Sequence, residues 1–223
     1  MIARLTPELR DRARRALVRR DRQLARVIRR AGPCALVPRG DPYGALMRSI
    51  IFQQLQGRAA SAIAGRVRAR FGGRYPKPEA LHATPDSELR AAGLSRQKIA
   101  ALRSLAAAFA DGQIRSRRLF HMHDAEVVEA VTQVRGIGEW TAHMLLMFSL
   151  GRTDVLPVGD YGIRGDYGIR KGAMLVYGLS ELPKPAALEA LAEPWRPYRS
   201  VGSWYLWRAT EMPDLAAAGR ARA

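Results

Sequence analysis

Helix starts and stops follow one another along this chain with almost no room left for strands. Thr6-Pro7-Glu8 reads as a helix start, with Thr6 as N-cap and proline in the first turn. Leu9, Ala13, Ala16, Leu17, Leu24, Val27 and Ile28 then recur near helical period until Gly32-Pro33, which predicts one long helix with an arginine-rich outer face. Asp41-Pro42 starts the next helix, through Leu46, Ile50 and Ile51. A break near Gln53–Gly57 leads to a third helix ending at Gly72-Gly73. Thr84-Pro85 opens a short helix closed by Gly93. Ser95 opens another, which carries Ile99, Leu102, Leu105 and Phe109 to a stop at Asp111-Gly112. Asp124 is expected to cap "AEVVEAVTQV", and Pro185–Ala192 and Pro197–Thr210 read as the last helices. No segment of four or more residues alternates as a half-buried strand does. The expectation is an all-α fold of two helical lobes with a cleft between them, organised as a single domain over residues 1–223.

Charge narrows the choice of partner. Thirty-seven Lys and Arg against 20 Asp and Glu give a formal net charge of +17. Such an excess calls for a polyanion, nucleic acid before an anionic membrane surface. No apolar run approaches a membrane span, and the N-terminus lacks the apolar core of a secretory signal. The single cysteine, Cys34, excludes an internal disulfide and a cluster held by several thiolates. A reducing cytoplasm is the expected compartment, at the nucleoid if the source is bacterial. His121-x-His123 lacks further ligands at metal spacing, so no catalytic metal is expected.

The stretch "VVEAVTQVRGIGEWTAHMLLMFSLG", about residues 125–150, is the most informative. A helix ends near Val134-Arg135, Gly136-Ile137-Gly138 makes a tight turn, and a second helix begins near Glu139. Two glycines let the backbone take positive φ and approach a ligand closely. Amides of such a turn, at a helix N-terminus, favour an anion. Ile137 would point back to pin the helices, and the turn could hold one backbone phosphate without reading bases.

Together with "VRGIGEWTA" and the later "DVLPVGDYGIRGDYGIRKG", three further segments in order carry a resemblance. They are "DPYGALMRSIIFQQLQGRAASAIAGRV" (residues 41–67), "AGLSRQKIAALRSLA" (92–106) and "WRPYRSVGSWYLW" (195–207). The chain resembles the helix-hairpin-helix DNA glycosylase superfamily, in its 3-methyladenine DNA glycosylase II branch, over about residues 41–208. The resemblance implies an all-α protein whose active site lies between two lobes. The N-terminal β-rich domain of longer members is not expected, because too few residues precede Asp41.

The same family pattern places one essential acid after the hairpin, at the start of the helix that follows a proline-rich turn. Here the hexapeptide Gly-Asp-Tyr-Gly-Ile-Arg occurs twice in succession, in "VGDYGIRGDYGIRKG". Asp160 stands 20 residues after Trp140, the family spacing, and Asp166 stands 26 after it. Asp166, however, has the expected context when counted back from Lys171-Gly172. Asp160 is favoured because its upstream sequence runs unbroken from the hairpin, and Asp166 is the alternative. An aspartate before a helix is also an ordinary N-cap. The chemistry asks for one carboxylate. Cleaving an N-glycosidic bond builds positive charge on the sugar, which a nearby carboxylate stabilises. An alkylated purine is already cationic and leaves as a neutral base, so no separate acid is required. Bifunctional members place a nucleophilic lysine where this chain has Trp140, so base removal by water without a lyase step is expected.

The resemblance also implies a base-flipping enzyme with an aromatic pocket suited to a cationic base. Trp140 and Trp207 match pocket walls, Tyr161 is a further candidate, and Phe52 is expected to cap the pocket. Trp204 and Tyr205 read better as core. Gln54, with Leu55 next to it, matches the side chain that plugs the hole left by the flipped base. It is polar where an apolar wedge is familiar. Gly136, Ile137, Gly138, Thr141, Arg58 and Lys171 are expected at the DNA backbone, with Arg164, Arg170 and Arg199 as further phosphate contacts. No cofactor is expected, though relatives leave room for a monovalent cation at the hairpin carbonyls. The expected partner of this monomer is double-stranded DNA containing damaged bases of the 3-methyladenine and 7-methylguanine class. A glycosylase for another lesion, or a non-catalytic hairpin protein that binds DNA, are the alternatives.

Overall fold

The computed structural model describes residues 4–55, 57–158 and 167–212. Among them the fold is all-α, with one isolated β-bridge between Arg4 and Arg152. In chain order the helices are α1 (Pro7–Arg20), α2 (Arg22–Ala31), α3 (Pro42–Phe52), α4 (Gly57–Arg70), α5 (Pro78–Ala83), α6 (Asp86–Ala91) and α7 (Arg96–Ala110). They continue as α8 (Ser116–Leu119), α9 (Asp124–Thr132), α10 (Glu139–Leu145), α11 (Tyr167–Tyr177), α12 (Pro185–Ala192) and α13 (Arg199–Ala209). A π-helical turn, Leu146–Leu150, follows α10, and a 3-10 turn, Glu193–Trp195, follows α12. No helix among the described residues is long and apolar enough to cross a membrane.

The chain divides into two compact units. One comprises Met1–Arg39 with Leu146–Ala223, and the other is Gly40–Leu145. In the first, α13 packs on α2 and α11, and α1 packs on α2. The single N-terminal helix expected from periodicity is two helices. Asp21 is extended at φ −135° and ψ 103°, and its carboxylate accepts from the Leu24 amide at 2.8 Å as the N-cap of α2. That carboxylate is buried and also accepts from the Trp195 indole at 2.7 Å and from the Tyr177 hydroxyl. One acid inside an arginine-rich run thus breaks the helix and ties α2 to α11 and the 3-10 turn. Gly172 permits the close approach of α11 to α13, because a Cβ there would overlap the Leu206 carbonyl.

In the second unit α7 is the central element, touched by α3, α5 and α6, while α10 packs on α9 and α3. Its core includes Leu46, Ile50, Ile51, Leu81, Leu102, Leu105, Val127 and Val131, all within 0% exposure. Each such aliphatic side chain contributes roughly 1.5–3 kcal/mol relative to exposure. Several expected boundaries shift by a residue or two. Thr84 does not open α6. Its hydroxyl donates back to the Ala80 carbonyl at 2.8 Å and finishes α5. Asp124 is the first residue of α9 rather than its cap. His123 is the cap, and its amide donates to the Glu126 carboxylate at 2.6 Å. The last helix starts at Arg199 rather than Pro197, and α5 and α8 are short helices that periodicity did not reveal.

Replacing Asp21 with alanine leaves the Trp195 indole, the Tyr177 hydroxyl and the Leu24 amide without their acceptor. Stability should fall by about 3 kcal/mol or more, read as a lower midpoint in urea unfolding with an unchanged slope.

Candidate functional site

The turn between α9 and α10 closes through backbone bonds. Val134 donates to the Val131 carbonyl at 3.2 Å, and Ile137 donates to the Val134 carbonyl at 3.0 Å. Ile137 is 5% exposed and anchors the turn to its unit, as expected. Gly136 has φ +80°, and a Cβ on it would lie 3.0 Å from the Ala101 Cβ of α7. Only Gly136 takes a positive φ, so the expectation that both glycines do is corrected. Gly138 has nothing within 4 Å of where a Cβ would be. Its lack of a side chain serves neither backbone torsion nor internal packing. It leaves an open approach to the turn.

The first intrahelical bond of α10 runs from the Ala142 amide to the Gly138 carbonyl at 3.1 Å. The preceding amides, of Glu139, Trp140 and Thr141, have no carbonyl four residues back within the helix. Thr141, expected at the DNA backbone, is buried at 3% exposure. Trp140 is half-buried, and its indole N–H is buried with no hydrogen-bond partner among the described residues. Burial pushes the His143 imidazole below its usual pKa, so this ring adds no positive charge at neutral pH.

The turn after α3 is the second feature of this unit. Gln54 is exposed and has φ +56°, the one described non-glycine residue with a positive φ. Gln53 donates from its side-chain amide to the Gly136 carbonyl at 2.8 Å, which ties this turn to the hairpin. Lys98 of α7 donates to the carbonyls of Ile51 and of Gln53, the latter at 2.9 Å. Burial pushes its ammonium pKa down from the ordinary value. Sequence reasoning gave no role to Gln53 or Lys98, because their partners are carbonyls up to 83 residues away. Phe52 is half-buried beneath the Arg48 guanidinium, which sits 3.7 Å from the ring centroid. Leu55 is half-buried and Arg58 is exposed in the first turn of α4.

In the other unit, Trp207 of α13 is half-buried beside α11. A Cβ on Gly168 would lie 2.8 Å from its Cδ1 atom. Phe148, 37% exposed, lies 5.7 Å from Trp207 between ring centroids and extends this aromatic surface. Sequence reasoning passed over Phe148 as part of an apolar run. Tyr205 is core, its hydroxyl donating to the Gly32 carbonyl at 2.9 Å, and Trp204 stands edge-on to it at 4.9 Å. Two arginines offered to phosphate are engaged elsewhere. Arg199 grips Asp154 through Nε at 2.8 Å and Nη2 at 3.0 Å, and Arg170 donates to the Pro183 carbonyl at 2.8 Å. Lys171 is half-buried on α11. Asp160, Tyr161, Arg164 and Asp166 lie outside the described residues. Among the described residues no group of three or more His, Cys, Asp or Glu could hold a metal ion. A hollow of about 420 Å³ lined by Arg4, Leu5, Thr6, Pro7, Arg10, Val37 and Pro38 has neither an aromatic ring nor a carboxylate, and none of the expected site residues lines it.

The glycine hairpin and the turn bonded to it both lie within a stretch that matches a known family. Residues 47–197 match the model of the HhH-GPD superfamily of base excision DNA repair proteins. The chain belongs to that superfamily. Its members include DNA-3-methyladenine glycosylase 1 of Schizosaccharomyces pombe, 32% identical over 86% of this chain and 83% of the relative. The solved structure of the S. pombe 3-methyladenine DNA glycosylase, in complex with abasic DNA, superposes with a TM-score of 0.82 at 32% identity. It covers 91% of this chain and 98% of that one. The crystal structure of DNA-3-methyladenine glycosidase from Bacillus halodurans gives 0.77 at 38% identity, covering 93% and 90%. The HhH-GPD match spans the hairpin, the turn at Gln54 and the repeated hexapeptide alike.

The two hairpin glycines should separate folding from binding. Gly136→Ala forces an alanine into a left-handed conformation and against Ala101, at a cost of about 1–2 kcal/mol or more. Gly138→Ala should leave the unfolding midpoint unchanged and weaken binding to an undamaged duplex, measured by fluorescence anisotropy.

Proposed function

We propose that this protein is a DNA glycosylase of base excision repair that flips alkylated bases out of duplex DNA and removes them by hydrolysis, without cleaving the strand. The observation that carries the reading is the hairpin itself. Gly138 holds open the face of a turn whose next helix carries Trp140 in its first turn, in a chain 32% identical to a 3-methyladenine glycosylase over most of its length. The open turn accepts a phosphate, and the net charge of +17 supplies the wider attraction to the duplex. Within the second unit Trp140 and Phe52 offer aromatic faces to a cationic base, and Gln54 fills the stack behind it.

The bond between C1′ and the base nitrogen breaks with its electron pair leaving on the base. That pair cancels the charge of an alkylated purine, so the base departs neutral. The positive charge then develops on the sugar, where a carboxylate stabilises it and accepts a proton from the incoming water. Tryptophan at position 140 cannot form a Schiff base, which excludes this position as the nucleophile of a lyase step.

Spacing from the hairpin favours Asp160 as the carboxylate, and the fold around α11 favours Asp166. Asp166 immediately precedes Tyr167, the first residue of α11. The second hexapeptide copy supplies Gly168, which admits Trp207, and Ile169, which is fully buried. We assign the acid to Asp166 on this ground.

Single-turnover release of 7-methylguanine from duplex DNA tests the assignment. Asp166→Asn should slow release on the order of 100-fold or more, with duplex affinity retained, and Asp160→Asn should slow it far less. The reverse order returns the role to Asp160, and equal slow release by parent and both variants leaves a DNA-binding protein without catalysis. Borohydride should trap no covalent enzyme–DNA adduct.

A further inference from the structure

Gln54 holds a conformation that costs a side chain such as glutamine about 1 kcal/mol or more. Its neighbours must therefore determine it. Ile51 and Gln53 belong to the C-terminal turn of α3, where the last carbonyls have no partner within the helix. The Lys98 ammonium caps two of them and complements the negative end of α3. The Gln53 side chain then reaches from this turn to the Gly136 carbonyl of the hairpin, 2.8 Å away.

Helix α7 touches the hairpin as well. Ala101, one turn after Lys98, is the residue against which Gly136 closes: a Cβ on Gly136 would lie 3.0 Å from the Ala101 Cβ. Ser104, a further turn on, accepts from the Arg135 amide at 3.2 Å. Residues at i, i+3 and i+6 share one helix face, within the angular spread of a contact stripe. A single face of α7 therefore meets both turns: Lys98 at the turn that carries Gln54, and Ala101 with Ser104 at the turn that carries Gly136 and Gly138.

We infer that Lys98 is a positioning residue for base flipping, and that the Lys98–Ala101–Ser104 face of α7 sets the distance between the turn that grips the phosphate and the side chain that fills the stack. This rests on the reading of Gln54 as the plug. Lys98 touches neither the lesion nor the phosphate. It acts by holding Gln54 in its left-handed conformation at a fixed reach from the hairpin.

The test is a double-mutant cycle with Lys98→Met and Gln54→Ala, in the full chain. One readout is the single-turnover rate of 7-methylguanine release from a paired duplex. The other is the fluorescence of 2-aminopurine placed beside the lesion, which reports unstacking and needs no bond cleavage. Each single variant should lower the rate about 10-fold and reduce the fluorescence rise on binding. The double variant should be no worse than Gln54→Ala alone, and Lys98→Arg should restore both readouts. Losses that multiply, or a Lys98→Met variant that flips as well as the parent, overturn the inference. If Lys98→Met does not fold, Gln53→Ala breaks the link to the hairpin from the other side and enters the same cycle with the same expectation. A parent that unstacks 2-aminopurine yet releases no base would refute the proposed chemistry while leaving the positioning role readable.

Discussion

A backbone carbonyl at the end of α3 and a backbone carbonyl in the hairpin are both claimed by side chains of the second unit, and the geometry of that unit follows from those bonds. Lys98 and Gln53 place donors where helix ends and turns leave acceptors open. Gln54 can keep its costly conformation because these bonds, and the close fit of Gly136 on Ala101, leave the surrounding backbone little freedom. Gln54 itself is exposed, so its strain is held by its neighbours and not by burial of its own side chain.

The first unit solves a different problem. Twelve arginines and three acids occupy residues 1–39, and one of those acids is spent inside the protein. Asp21 joins a helix cap to an indole and a phenol, so its charge is hydrogen-bonded rather than paired with one of the nearby arginines. The Asp154 carboxylate takes Arg199 and Arg196, so two acids of this unit serve its internal joints. Most of the remaining arginines are exposed, which concentrates the positive field on the outer surface, where it can draw in a duplex.

The helical class was legible from caps, because Thr6, Asp41 and Ser95 bond the amides that local chemistry says they should. The break at Asp21 was not, since the apolar period runs through it and its decisive partners, Tyr177 and Trp195, lie more than 150 residues away. The hairpin was legible as a turn, but the different duties of Gly136 and Gly138 needed coordinates: one is fixed by torsion and a neighbour, the other by empty space. Arg199 and Arg170 looked available to phosphate because sequence displays a charge and hides its partner. Lys98 received no role for the same reason: its carbonyl partners lie 45 and 47 residues away.

Helix α11 draws its opening residues from the second of two identical hexapeptides, and this has a consequence for how the extra six residues can be studied. Removing 159–164 and removing 165–170 yield one and the same polypeptide, since Val158 then meets the same Gly-Asp-Tyr-Gly-Ile-Arg-Lys in either case. That shortened chain keeps a glycine for the indole of Trp207 and an isoleucine for the interior. Truncation is therefore blind to which copy is surplus, and single-atom changes at one aspartate or the other are what can tell them apart.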